Sequence, residues 1–430
     1  MFGWEFPPHI SGGLGTACYG LTKALLKTGT EIIFVVPKAY GDEEAGTIRL
    51  VNASDVSVNL YDEIYKEHME QIAFLEIDST LLPYSTEEEY YKIVEKLDHG
   101  ITAEKIEIHS RKYEFSGGYG KNLIDEVKRY ALVAATVAAE YEFDLIHSHD
   151  WLTYMAGIEA RRVSGKPLVV HMHATEFDRS GENINHAVYD IERRGMAAAD
   201  MVIAVSHLTR SIVINRYGID PSKVVTVHNG VEPNEKAKLR TIEKNVKEKI
   251  VTFLGRITFQ KGPEYFIEAA QRVLKRDPNV RFVMAGSGDL LPKMIRRVAQ
   301  LGIAHRFHFT GFLKGDDVDT MFGMSDVYVM PSVSEPFGIS PLEAMRSNVP
   351  VIISKQSGVA EVLRHAVKID FWDIDAMADA IYGLLHYHAL PEMFKKYGKQ
   401  EVDNIKWDQA GVKTRDVYQQ VLQSPQNLSR

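Results

Sequence analysis

The chain has 430 residues, 45% of them apolar and 25% charged, with a formal net charge of −8. That length exceeds one ordinary core, and the composition points to two or three folded domains rather than disorder. The acidic balance disfavours nucleic acid or an anionic membrane as an overall partner. The single cysteine, Cys18, excludes an intramolecular disulfide framework and suits a reducing compartment, so a cytoplasmic location is expected.

In chain order, only Met1–Phe6 precede Pro7-Pro8, where a first Rossmann strand usually supplies about five or six residues. The expectation is a short first strand or a start lying further upstream. Ser11-Gly12-Gly13-Leu14-Gly15 then opens an amphipathic helix to about Lys27, with Gly29 as its C-terminal signal. Backbone amides at such a turn can bind a diphosphate; a tight packing turn is the plain alternative. Residues 41–125 read as an acidic, tyrosine-rich insertion. The longest run of small and apolar residues, Tyr130 to Ala139, is shorter than the ~18–20 residues a membrane span needs, and no signal peptide precedes the first motif.

Short β-branched runs alternate with helical stretches at Glu31–Pro37, Asp144–His149, Leu168–His173, Met201–Ser206 and Val224–His228. A second series follows at Ile250–Leu254, Val280–Ala285, Arg306–Thr310, Val327–Met330, Val351–Ser354 and Val367–Asp370. This rhythm predicts an α/β protein with two doubly wound parallel sheets. A charged stretch at residues 232–249 reads as the linker between them. Ligands of such sheets bind beyond the carboxyl ends of the strands, which places the expected site in a cleft between two domains.

Several motifs sit at those strand ends. His147-Ser148-His149-Asp150-Trp151 and His171-Met172-His173-Ala174-Thr175-Glu176 carry four histidines and a carboxylate. They lack a settled zinc geometry, so residues lining a sugar pocket are preferred, with Trp151 either a sugar platform or a core residue. Gly255-Arg256-Ile257-Thr258-Phe259-Gln260-Lys261-Gly262 puts two cations between a strand and a helix, a phosphate-binding arrangement. Asp317-Val318-Asp319 suits a helix cap and N-terminal charge better than a metal. Glu335 and Glu343 flank Pro336-Phe337-Gly338-Ile339-Ser340-Pro341-Leu342. Ser340 and Glu343 match a capping box, whereas Glu335 has no such structural role.

Together these residues resemble the retaining GT-B glycosyltransferases, the superfamily that includes glycogen and starch synthases. Matching pieces are Gly12-Gly13, His149-Asp150-Trp151, His173, Ala204-Val205-Ser206, His228-Asn229-Gly230-Val231, Arg256 with Lys261, Ala285-Gly286-Ser287-Gly288, Pro331-Ser332 and Glu335 through Glu343. The resemblance implies an acceptor-side domain at 1–231, a nucleotide-sugar domain at 250–395, and helices at 396–430 that cross back. It implies a catalytic set of His173, Arg256, Lys261 and Glu335. It implies donor binding by Gly12, Gly13, Asn229, Arg256, Lys261, Phe337, Gly338, Ile339 and Glu343, and a sugar or acceptor pocket at Asp150 and Trp151. Neither metal nor cofactor is implied; the donor would be ADP-glucose or UDP-glucose, and the acceptor an α-glucan. Glycogen synthases of bacteria and archaea carry a lysine two residues before the double glycine, where this chain has Ile10, which weighs against ADP-glucose. The alternatives are a transferase using a sugar phosphate or lipid-linked glycan, and an inert nucleotide-sugar sensor or scaffold. An NAD-dependent oxidoreductase lacks its dinucleotide fingerprint here.

Overall fold

The computed structural model describes residues 1–9, 12–43, 46–59, 110–120, 122–232 and 247–424. Ile10, Ser11, most of the expected insertion and most of the expected linker lie outside the described residues.

Strand β1 (Ile33–Val36) pairs in parallel with β2 (Arg49–Asn52). A short antiparallel pair, β3 (Val58–Asn59) and β4 (Ser110–Arg111), stands apart. Four further parallel strands follow in spatial order: β5 (Ile146–His149), β6 (Leu168–Met172), β7 (Met201–Ala204) and β8 (Val224–Thr226). The extreme N-terminus joins the two groups. Phe2 bridges both Val35 and Ser148 in parallel. Its amide donates to the His147 carbonyl (2.8 Å), and its carbonyl accepts from the His149 amide (3.1 Å). The expected first strand is therefore present but reduced to the residues around Phe2. It occupies the centre of the sheet, in the order β2-β1-Phe2-β5-β6-β7-β8.

The second sheet is wholly parallel: β9 (Lys249–Leu254), β10 (Val280–Ala285), β11 (Phe307–Gly311), β12 (Val327–Met330), β13 (Val351–Ser354) and β14 (Val367–Ile369). Its spatial order is β11-β10-β9-β12-β13-β14. In each sheet the chain runs outward from its first strand, then returns to place the fourth beside the first. Each sheet thus has its order reversal between the first and fourth strands, where doubly wound folds bind ligands.

Helices cover both faces, which is why the strands read as continuous apolar runs; every residue of β6 and β12 is buried. In the Gly13–Lys27 helix, Ala17, Leu21, Ala24 and Leu25 form the buried stripe. An aromatic centre holds the second core, with Phe266 5.7 Å from Phe282 and Phe282 5.5 Å from Phe307, ring centre to ring centre.

The last helix, Trp407–Leu422, packs on the Gly13–Lys27 helix of the first sheet. Two glycines allow that approach: a Cβ at Gly20 would lie 2.4 Å from the Trp407 ring, and one at Gly411 would lie 2.8 Å from Ala24. The Val231 amide also donates to the Ile405 carbonyl (3.0 Å). Among the described residues no helix is long and apolar enough to cross a membrane.

Candidate active site

The loops at the two order reversals carry most of the sequence-predicted site. On the first sheet, Gly12 precedes the Gly13–Lys27 helix in extended backbone (φ −179°). Among the described residues, neither Gly12 nor Gly13 has a neighbouring atom within 4 Å of the position a Cβ would take. Neither glycine lies in the left-handed backbone region.

Asp150 ends β5 in a conformation rare for a side-chain-bearing residue, φ 61° and ψ 170°. The contacts explain the strain. Its Oδ1 accepts from the backbone amides of His173 (2.8 Å) and Ala174 (3.3 Å), and its own amide donates to the His171 carbonyl (2.9 Å). Asp150 thus orders the turn that presents His173. Burial raises its carboxyl to about 6, against the charge of Arg179 and the two amides. Trp151 is only 9% exposed and packs in the first core, so the core explanation replaces the sugar platform.

The four histidines do come together. His147, His149 and His171 are at most 1% exposed, and His173 is half-buried beside them. His149 Nδ1 and His173 Nε2 share a hydrogen bond of 3.0 Å, and His147 Nδ1 meets the Tyr418 hydroxyl at 2.5 Å. The three buried rings lie in the interior, where Tyr418 of the Trp407–Leu422 helix caps His147. Burial pushes all four imidazoles far below their usual range, His173 to about 3, so they are neutral near pH 7. Ring centres lie 4.2 Å apart and tilted for His147 and His149, and 4.3 Å apart and stacked for His171 and His173. Candidate ligand atoms of His147, His149 and His171 lie within 4.8 Å of one another, but Nδ1 of His147 and of His149 are engaged in hydrogen bonds, and no metal is assigned to the cluster.

On the second sheet, Arg256 and Lys261 follow β9. Lys261 Nζ is 2.5 Å from Glu335 Oε2, which also accepts from the Ser332 hydroxyl (3.1 Å). Glu335 is buried at 6% exposure. An ammonium has three donors, so this pairing leaves Lys261 capacity for another oxygen. Arg256 is exposed, and its charge opposes the rise that burial imposes on the Tyr119 hydroxyl. Gly338 has φ 97°, a value that favours glycine, with Glu335 Cγ 3.1 Å from where its Cβ would stand. Phe337 and Asn229 are buried, and Ile339 is half-buried.

The capping box at Ser340 is not formed. The N-cap of the Ser340–Arg346 helix is Ile339, and Ser340 is instead engaged by the Tyr328 hydroxyl at 2.8 Å. A long-range partner thus overrides the local motif and leaves Glu343 without that structural task. Burial raises the Glu343 carboxyl and Asp319 adds to the rise, against Arg346. Asp317 makes no side-chain cap either: Gly315 is the N-cap, Asp317 contributes charge in the first turn, and Asp319 lies 3.6 Å from Arg346.

Sequence reasoning did not anticipate the network beneath His173. Arg179 pairs with Glu176 (3.1 Å) and with Glu192, and donates to the Ala174 carbonyl (2.8 Å). Thr175 and Asp178 form a complete capping box, a pattern visible in Thr175-x-x-Asp178. Asp178 also accepts from Ser334 of the other sheet's loop at 2.5 Å. Nothing local marks that last contact.

Comparison with known proteins agrees with this geometry. The family profile described as Glycosyl transferases group 1 matches residues 234–401, and that of Glycosyltransferase Family 4 matches residues 96–235. An uncharacterized glycosyltransferase of Methanocaldococcus jannaschii is 28% identical over 97% of each chain. The alpha-maltose-1-phosphate synthase of Mycolicibacterium smegmatis is 30% identical over 64% of this chain and 79% of that protein. The chain belongs to the group 1 glycosyl transferases. Its fold is GT-B: the catalytic domain of starch synthase IV from Arabidopsis thaliana, bound to ADP and acarbose, superposes with a TM-score of 0.67 at 16% identity, covering 98% of both chains. As a group 1 transferase, the chain acts by moving a glycosyl group.

Proposed function

We propose that this group 1 transferase moves glucose, with retention, from a nucleotide-glucose donor to an α-glucan. The observation that carries the reading is the meeting of loops from the two sheets: the Phe259–Lys261 turn packs on the Glu176–Ser180 helix just past His173, and Ser334, next to Glu335, donates to Asp178 of that helix. Arg256 and Lys261 would neutralise the diphosphate as the bond from the anomeric carbon to phosphate oxygen breaks. Amides near Gly12, Gly13, Gly338 and Ile339 would add donors, with Asn229 and Phe337 shaping the donor side. Glu335 would hold sugar hydroxyls, and Glu343 the ribose. His173, neutral at working pH, would contact the transferred sugar, held by Asp150 through the backbone. The acceptor hydroxyl attacks the same face, and the departing phosphate oxygen takes its proton. No protein base, metal or cofactor is required.

The starch synthase bound to ADP and acarbose supports a glucan acceptor. A second reading has its own support: the Mycolicibacterium smegmatis relative is named for a sugar phosphate product, which favours a phosphorylated acceptor in place of a glucan. Product analysis separates the two. Labelled glucose from UDP-glucose or ADP-glucose entering glycogen or maltooligosaccharides supports the first. Label appearing only in a glycosylated sugar phosphate replaces it with the second, and donor binding without any transfer leaves a scaffold.

A further inference from the structure

The two sheets' domains touch at a second place, on the side of the first sheet near β8, where a carboxylate of one is held by the other. Glu361, in the second, accepts from the backbone amides of His207 (2.9 Å) and Leu208 (2.8 Å), the first residues of the His207–Tyr217 helix. It also lies 2.8 Å from His228 Nε2, just beyond β8. One acceptor group therefore takes three hydrogen bonds from the opposite domain, two of them at the positive end of a helix. Burial pushes the Glu361 carboxyl up, and these hydrogen bonds outweigh that push and hold it below its usual range. The Ser334 to Asp178 contact is a second, independent tie across the same boundary, only one residue from Glu335.

We infer that Glu361 is a positioning residue for glycosyl transfer: by clasping His228 and the start of the His207–Tyr217 helix, it fixes how closely Arg256 and Lys261 approach His173. It touches no substrate in this account. The inference rests on the functional reading above only for its kinetic part; the clasp itself has a structural readout. Transfer requires both halves of the site at one separation, whereas donor binding draws mainly on the second domain, so the loss falls on kcat.

The test compares wild type, Glu361→Ala and Glu361→Gln as full-length protein, by small-angle scattering, donor titration with UDP-glucose and ADP-glucose, steady-state transfer and thermal melting. Glu361→Ala is expected to enlarge the radius of gyration and lower kcat about tenfold or more, while donor affinity stays within about threefold. Glu361→Gln, whose amide oxygen still accepts hydrogen bonds, is expected to recover most of that kcat. Unchanged scattering in Glu361→Ala overturns the clasp, as does a loss confined to donor affinity or a lowered melting temperature that accounts for the lost kcat. If wild type transfers no sugar, the functional reading fails, and scattering alone still decides the clasp.

Discussion

Replacing Lys261 with alanine separates two roles that its geometry combines. Lys261 lies 2.5 Å from Glu335, with side chains 24% and 8% exposed. Removing one partner of a fully buried ion pair costs about 3–5 kcal/mol. Here the lysine is partly solvated and Ser332 still donates to Glu335, so about 2 kcal/mol of lost stability is expected. Loss of a cation that stabilises the departing diphosphate is expected to lower kcat by about a hundredfold to a thousandfold. Adding Glu335→Gln removes the stranded charge. The double variant should regain stability to within about 1 kcal/mol of wild type yet remain as inactive as the single variant. Urea unfolding and transfer kinetics on wild type, Lys261→Ala, Glu335→Gln and the double variant read both quantities. Recovery of transfer alongside stability in the double variant would refute a direct role for Lys261, as would a single variant retaining kcat within about tenfold.

Two further predictions concern pH. His147, His149, His171 and His173 are neutral when folded but titrate near 6.5 when unfolded, so the unfolded chain binds more protons below that pH. Their contribution is therefore complete above pH 6.5 and is lost on acidification, with a limiting slope of about 5 kcal/mol per pH unit for the four; urea midpoints unchanged from pH 7 to 5 would disprove it. Asp150 has the opposite sign, because its carboxyl sits near 6 when folded against an ordinary 3.8. The folded protein keeps that proton longer, so its contribution declines as pH rises through this window. Asp150→Asn should gain stability relative to wild type by about 1 kcal/mol between pH 5.5 and 7.5, and a pH-independent difference would contradict the buried-carboxylate account.

The β-branched runs made both sheets legible, because strands buried on two faces must be apolar along their length and glycine-rich turns mark their ends. Val280–Ala285, Val327–Met330 and Val351–Ser354 form strands with the bounds read from sequence. Phe2 was harder: one bridging residue has no periodicity, and its place in the sheet depends on Val35 and Ser148. Alternation correctly put His171 and His173 on one face. The burial of His147 was not legible, since its partner Tyr418 lies 271 residues away in sequence. Lys261 and Glu335 were each recognised as site residues, but their pairing spans 74 positions. The Ser340 capping box failed for the same reason. A local motif states what a side chain could do, and Tyr328 from a neighbouring strand determined what Ser340 does.

The central claim is glycosyl transfer from a nucleotide sugar across this cleft to a glucan. Its most direct test is nucleotide release from ADP-glucose, UDP-glucose and GDP-mannose, with glycogen, maltooligosaccharides or no acceptor, beside Lys261→Ala. The account predicts release from a glucose donor that depends on glucan, proceeds with polymer growth, and is abolished in the variant. Release that ignores the glucan, or that survives the loss of Lys261, would contradict it.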